Sequence, residues 1–191
     1  QILVNEASCG APEPHVPSAN TQILIPPPPD KEYQIQELEA IKVQRENQLT
    51  PKELHEELDF ITNVFNHVIL EAGYPCAYDL IEQIAEDLQP IIYEHKEHFN
   101  TARPYQLARA IGMEFDFDDY ESARTPSYPS GHTAQAFYTA HTLSEMYPEL
   151  RANLFEVAQM IADSRIDFGV HFPSDNEGGK MLADALITAG F

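Results

Sequence analysis

Basic residues are scarce in this chain of 191 residues. Lys and Arg number 11 against 31 Asp and Glu, which gives a formal net charge of −20 at pH 7. Such a field repels a polyanion unless a basic face is set apart from it, and the sequence has no segment that would form such a face. The composition therefore argues against nucleic acid as a partner, and any other anion has to be held by a few specific side chains.

Long apolar runs and cysteines are also missing. Charged residues interrupt every apolar segment, so no stretch approaches the roughly 20 apolar residues of a membrane-spanning helix, and we expect a soluble protein without a membrane span. Cys9 and Cys76 are the only cysteines, too few for a disulfide scaffold or a cysteine zinc site. Two reduced cysteines are favoured over a bridge between them. The chain begins at Gln1 without a signal pattern, which predicts a processed product.

Strand signals are almost absent as well, because no segment shows a sustained alternation of apolar and polar residues. Helical periodicity replaces it, and the predicted fold class is all-α, with one helical domain at residues 31–191. Residues 1–30 form a proline-rich N-terminal arm. An arm of this composition is compatible with a solvated tail, with packing on the domain, or with contact to a second subunit in a homo-oligomer.

Apolar spacing and capping residues predict where the helices lie. Residues 115–127 are expected to form a loop, and its aspartates lack the glycine and glutamate that a calcium loop needs at fixed positions. One predicted helix begins after Asp30, a second runs from Thr50 to about Gly73, and a third runs from about Tyr78 to Tyr93 with a bend or break near Pro90. Three more occupy about 131–147, 148–164 and 174–189.

Three short segments concentrate residue types that a packing helix does not need. In the middle one, Ser130 can cap the helix that follows Pro129, and Gly131 leaves the backbone open to a ligand. N–H groups at a helix N-terminus favour an anion, and His132, in the first turn, is placed to exchange a proton with it. The same residues also fit an ordinary helix start with a solvated histidine.

The other two segments add cations and a second histidine. Arg165 offers a planar fork of donors that matches phosphate oxygens. His171 and Asp175 are four residues apart, so the carboxylate can accept from one ring nitrogen and leave the other as a nucleophile. Lys96 and Arg103 would complete three cations around one phosphoryl group. Taken singly, these positions have simpler explanations. His171 and Asp175 fit a surface histidine beside a capping aspartate, and Lys96 and Arg103 fit a charged helix end before a proline.

Together the three segments resemble a known signature. Lys-x6-Arg-Pro from Lys96, Pro-Ser-Gly-His from Pro129 and Ser-Arg-x5-His-x3-Asp from Ser164 match the type 2 phosphatidic acid phosphatase superfamily, which includes bacterial class A acid phosphatases and vanadium haloperoxidases. Every signature residue is present, in the family order, over roughly residues 96–179. The resemblance implies a single helical bundle of the acid phosphatase and vanadium haloperoxidase type.

The resemblance also implies a role for each signature residue. His171 would be the nucleophile that becomes transiently phosphorylated, Asp175 would orient it, and His132 would protonate the leaving oxygen. No metal or other cofactor is implied for the phosphatase branch. The phosphate cradle would consist of Lys96, Arg103, Ser130, Gly131 and Arg165.

Within this superfamily the sequence favours metal-independent hydrolysis of a small, soluble phosphomonoester. Residues 127–133 are most similar to the soluble acid phosphatases, and acidic residues in the helical segments fit an integral-membrane lipid phosphatase poorly. The alternative is a vanadium haloperoxidase, which would hold vanadate as its cofactor in the same cradle, although such enzymes are typically much longer. A helical interaction protein with a phosphate pocket is the non-catalytic alternative, and the intact His171, Asp175 and His132 argue against it.

Overall fold

The computed structural model describes residues 24–48 and 52–191, which form helices and connecting loops without a β-strand. The predicted all-α class is confirmed. Within these described residues, no helix has the length and apolar composition needed to cross a membrane. The α-helices are α1 (Lys31–Glu46), α2 (Lys52–Leu58), α3 (Ile61–Glu71), α4 (Tyr78–Phe99), α5 (Pro104–Ile111), α6 (Gly131–Met146), α7 (Arg151–Asp167) and α8 (Pro173–Thr188).

Helix α6 lies at the centre of the bundle and packs mainly on α7 and α8. The start of α8 approaches the start of α6 so closely that only glycine fits at two positions. A Cβ at Gly178 would lie 2.3 Å from the ring of Tyr128, and one at Gly179 would lie 2.6 Å from the carbonyl oxygen of Ser130. This close approach brings the segment before α8 beside the first turn of α6.

Two apolar clusters hold the bundle together. One joins α3, α4, α6 and α7, and the other joins α4, α6 and α8. Ile25, from the predicted arm, is buried in the second cluster, and the hydroxyl of Tyr128 donates to the carbonyl oxygen of Pro26 over 2.6 Å. The end of the arm therefore packs on the domain. Residues 1–23, with the expected contact to a second subunit, lie outside the described residues.

Two predictions about helices are wrong. Helix α4 does not break at Pro90 but continues to Phe99, because the buried Leu88 and Ile92 on either side hold it against the core. The helix predicted from Thr50 to Gly73 is two helices, separated at residues 59–60, and Thr50 itself lies outside the described residues. Pro104 begins α5 at the first position, where its missing N–H costs nothing.

The preference for two reduced cysteines is also wrong. Cys76 lies between α3 and α4 and is disulfide-bonded. Cys9 lies outside the described residues. Cysteine spacing along the chain carries little information here, because a disulfide forms only where the fold brings two Cα atoms within about 7 Å.

Candidate active site

The three signature segments meet at one cavity of about 280 Å³. Five of the eight predicted site residues line it, namely Lys96, Arg103, Gly131, His132 and His171. The other three, Ser130, Arg165 and Asp175, are buried behind this wall.

Hydrogen bonds hold the ring of His171 on both sides. Its Nδ1 lies 2.9 Å from Oδ2 of Asp175, and its Nε2 lies 2.8 Å from Nη1 of Arg103. A guanidinium can only donate, so Nε2 accepts and the ring proton is on Nδ1. Burial and the neighbouring Arg103 and Lys96 hold the pKa of His171 well below its usual range. The ring is therefore neutral, with a lone pair at Nε2.

Asp175 ties this histidine to two helix starts. Its Oδ2 accepts hydrogen bonds from Oγ of Ser127 and from the backbone N–H of Phe172, in addition to Nδ1 of His171. The backbone carbonyl oxygen of Asp175 accepts a hydrogen bond from the backbone N–H of Ser130 over 2.9 Å. Burial raises the pKa of Asp175 to about 6, while the hydrogen bonds from Ser127 and Phe172 favour the carboxylate. Ser127, which is not among the predicted site residues, thus helps to hold the Asp175 carboxylate in place.

Two of the predicted cradle cations are anchored by backbone carbonyl groups. Nζ of Lys96 donates to the carbonyl oxygen of Pro126 over 2.7 Å. Nε of Arg103 donates to that of Thr125 over 2.7 Å, and Nη1 donates to that of Val170 over 2.9 Å. Burial and the adjacent Arg103 charge lower the pKa of Lys96 to about 7, and burial lowers that of Arg103 to about 10.

The first turn of α6 is built as the sequence predicts. Ser130 is the N-cap residue, and its Oγ accepts from the N–H of Thr133 over 3.3 Å. A Cβ at Gly131 would lie 3.2 Å from Ile92 and 3.7 Å from Cε of Lys96. A side chain there would narrow the cavity beside Lys96, so glycine keeps the backbone N–H groups accessible to a ligand.

One carboxylate, which belongs to none of the three signature segments, joins His132 to Arg165. Oδ1 of Asp59 lies 2.6 Å from Nη1 of Arg165 and 3.1 Å from Nε2 of His132. Burial favours the neutral acid, but the hydrogen bond to His132 and the charges of His132 and Arg165 lower the pKa of Asp59 to about 2. Burial and Arg165 lower the pKa of His132, and its contacts with Asp59 act in the opposite direction.

The sequence model of the PAP2 superfamily matches residues 81–191, which include all three signature segments. The chain belongs to the PAP2 superfamily. Similar curated proteins include an acid phosphatase of Zymomonas mobilis subsp. mobilis, 31% identical over 62% of this chain and 44% of that protein, and a non-specific acid phosphatase of Providencia stuartii, 26% identical over 66% of this chain and 51% of that protein. The chain therefore spans about half the length of these relatives.

The fold of this PAP2 chain is similar to that of a solved membrane protein. A transmembrane PAP2-type phosphatidylglycerolphosphate phosphatase from Bacillus subtilis matches with a TM-score of 0.56 and 23% identity, over 84% of this chain and 85% of that one. This likeness concerns the helical architecture alone.

Arg165, the third predicted cradle cation, pairs with Asp59. Its side chain is fully buried, and Nη2 reaches Oγ of Ser122 over 3.3 Å. Its Nε is buried without a hydrogen-bond partner among the described residues. The pairing has a physical reason, because a fully buried guanidinium needs a carboxylate, and Asp59 supplies it. The role of Arg165 in binding phosphate stays a prediction.

The cavity contains the kinds of group that can bind a tetrahedral oxyanion and attack its central atom. A neutral histidine presents a lone pair at Nε2, cations and a helix N-terminus surround it, and His132 lies on the wall of the same cavity. Clustered donors of this kind stabilise negative charge on equatorial oxygens, and a second histidine can move a proton.

Proposed function

We propose that this chain hydrolyses phosphomonoesters without a metal ion, through a phosphohistidine intermediate. The observation that carries the proposal is the environment of His171, whose Nδ1 donates to Asp175 while its Nε2 lies 2.8 Å from the guanidinium of Arg103. The nucleophilic lone pair thus lies beside a cation suited to bind the phosphoryl group that it attacks. The acid phosphatases among the similar proteins support the same reaction class.

In the first step, Nε2 of His171 attacks phosphorus, and an N–P bond forms as the P–O bond to the leaving group breaks. His132 gives its proton to the leaving oxygen, so an alcohol departs. The Asp175 carboxylate stabilises the ring as positive charge develops on it. Negative charge on the equatorial oxygens is met by Lys96 and Arg103, and the unsatisfied Nε of Arg165 is a buried donor available behind them.

In the second step, water attacks the phosphohistidine. The neutral His132 takes a proton from this water, the N–P bond breaks, and the electron pair returns to Nε2 of His171. Inorganic phosphate leaves, and His132 is again protonated. The two steps consume one water and release one alcohol and one phosphate, so no oxidant, reductant or metal is needed.

The haloperoxidase alternative would use the same cradle. Vanadate is a tetrahedral oxyanion like phosphate, and Lys96, Arg103 and the N–H groups of the first turn of α6 would hold it. The similar proteins named above are acid phosphatases, which favours hydrolysis.

The function is tested by phosphate release from p-nitrophenyl phosphate with and without EDTA. We expect turnover that EDTA does not reduce. Protein loaded with vanadate and given peroxide and bromide is expected to show no oxidation of the halide. Loss of phosphate release in EDTA would contradict the metal-independent reaction, and peroxide-dependent halide oxidation would support the alternative.

The pH profile of kcat/KM provides a separate prediction. Burial and Arg103 lower the pKa of Lys96 to about 7, so its ammonium is present below that pH and is lost above it. The pKa of His132 is also lowered, so its acid form is lost in the same direction. We therefore expect kcat/KM, corrected for ionisation of the substrate, to fall as the pH rises through about 7. The decline in kcat should occur at higher pH, because a bound phosphate dianion stabilises the ammonium. A kcat/KM that rises across this range would contradict the assignment.

A further inference from the structure

A second cavity adjoins the phosphate cavity. It has a volume of about 270 Å³ and lies between the first turns of α3, α4 and α6. His132 and Gln135 belong to the walls of both cavities. Because His132 is the proposed proton donor to the leaving oxygen, the alcohol part of a substrate has to lie next to it. The second cavity and the outer part of the first are therefore the space for the leaving group.

Carboxylates determine the charge of this space. Glu121, which is exposed, lines the first cavity. Asp59 and Glu82 line the second, and Asp59 is already paired with Arg165. Oε2 of Glu82 accepts from Oγ1 of Thr62 over 2.7 Å, which holds that carboxylate between α3 and α4. Among the described residues, neither wall includes a lysine or arginine other than Lys96 and Arg103 of the phosphate cradle.

Aromatic side chains complete the lining. Phe60 and Tyr78 line the second cavity and Tyr93 the first, and Phe60 and Tyr93 are 58% and 40% exposed. The faces of such rings attract cations.

We infer that the preferred leaving group is a cationic alcohol of the amino-alcohol class, with Glu121 and Glu82 as specificity-determining residues. This inference rests on the proposed phosphatase function. An ammonium group would meet the carboxylates of Glu121 and Glu82, whereas a carboxylate or second phosphate would meet these like charges and no cation beyond those of the phosphate cradle. The net charge of −20 acts in the same direction, because a zwitterionic substrate is repelled less than a dianion.

Three small substrates that differ in the charge of the leaving group test this inference. They are O-phosphoethanolamine, propyl phosphate and phosphoglycolate, with an ammonium, a neutral and a carboxylate end. We expect kcat/KM to decrease in that order, with about a tenfold difference between the first and the last at low salt. The difference should shrink as salt screens the exposed glutamates.

Variants assign the preference to the two glutamates. Glu121→Gln and Glu82→Gln, and most of all the double variant, should reduce the ratio of kcat/KM between O-phosphoethanolamine and phosphoglycolate to about threefold or less. Glu86→Gln changes an exposed glutamate one turn along α4 that lines neither cavity, and it should leave the ratio at its original value.

The outcomes separate this inference from the function on which it rests. Turnover of all three substrates with equal kcat/KM, a preference for phosphoglycolate, or a ratio unchanged in the double variant would overturn the inference and leave the phosphatase function standing. No turnover of these substrates or of p-nitrophenyl phosphate would overturn the function itself.

Discussion

Replacement of His171 by alanine is expected to lower kcat for p-nitrophenyl phosphate by on the order of 10⁴-fold or more. The nucleophilic lone pair is at Nε2 of this residue, and without it the N–P bond cannot form. The measurement is steady-state release of p-nitrophenol, with thermal unfolding of each variant followed by circular dichroism.

Two further variants make this prediction specific. His171→Asn places an amide near the position of Nδ1, where it can donate to Asp175. It should be as inactive as His171→Ala, which separates loss of the nucleophile from loss of the fold. His98→Ala removes an exposed histidine at the end of α4 and should retain full activity. A folded His171→Ala protein with more than a tenth of the original kcat would disprove the phosphohistidine route.

Asp59→Asn is expected to lower kcat for an alkyl phosphate about 100-fold. The carboxylate balances the buried guanidinium of Arg165 and orients His132 through one shared oxygen. An amide cannot neutralise Arg165, which would then disfavour protonation of His132 more strongly. Because the contacts with Asp59 raise the pKa of His132, their loss should move the alkaline limb of kcat to lower pH.

The leaving group distinguishes this role from a purely structural one. The p-nitrophenolate ion departs without much protonation, so Asp59→Asn should reduce its release less than that of an alkyl alcohol. Asp163→Asn changes an exposed carboxylate on α7, the helix that carries Arg165, and should alter neither rate. Equal losses for both substrates with an unchanged pH profile would show that Asp59 does not act through His132.

Local spacing explains most of what the sequence could predict about the site. Ser130 caps α6 and His171 reaches Asp175 within one turn of chain, so both arrangements follow from short-range geometry. The signature also predicts Arg165 at the phosphate, and that assignment stays a prediction. In the fold Arg165 pairs with Asp59, 106 residues away in the chain.

Asp59 lies at the break in the helix that was predicted to run from Thr50 to about Gly73. The apolar spacing of Leu58, Ile61 and Phe65 continues across residues 59–60, and periodicity alone predicts one helix there. The break puts the Asp59 carboxylate beside α6 and α7 instead of within a helical turn. No sequence motif identifies such a residue, because the tertiary packing determines which side chains it contacts.

The amino-acid sequence by itself determines the helical class, the PAP2 family and the candidate nucleophile and proton donor, because these depend on periodicity and on residues close together in the chain. Only the tertiary structure decides which charged groups line the cavities beside His132 and which carboxylate pairs with the buried Arg165. Those properties depend on burial and on charge pairs across the whole bundle, and chain distance does not encode them.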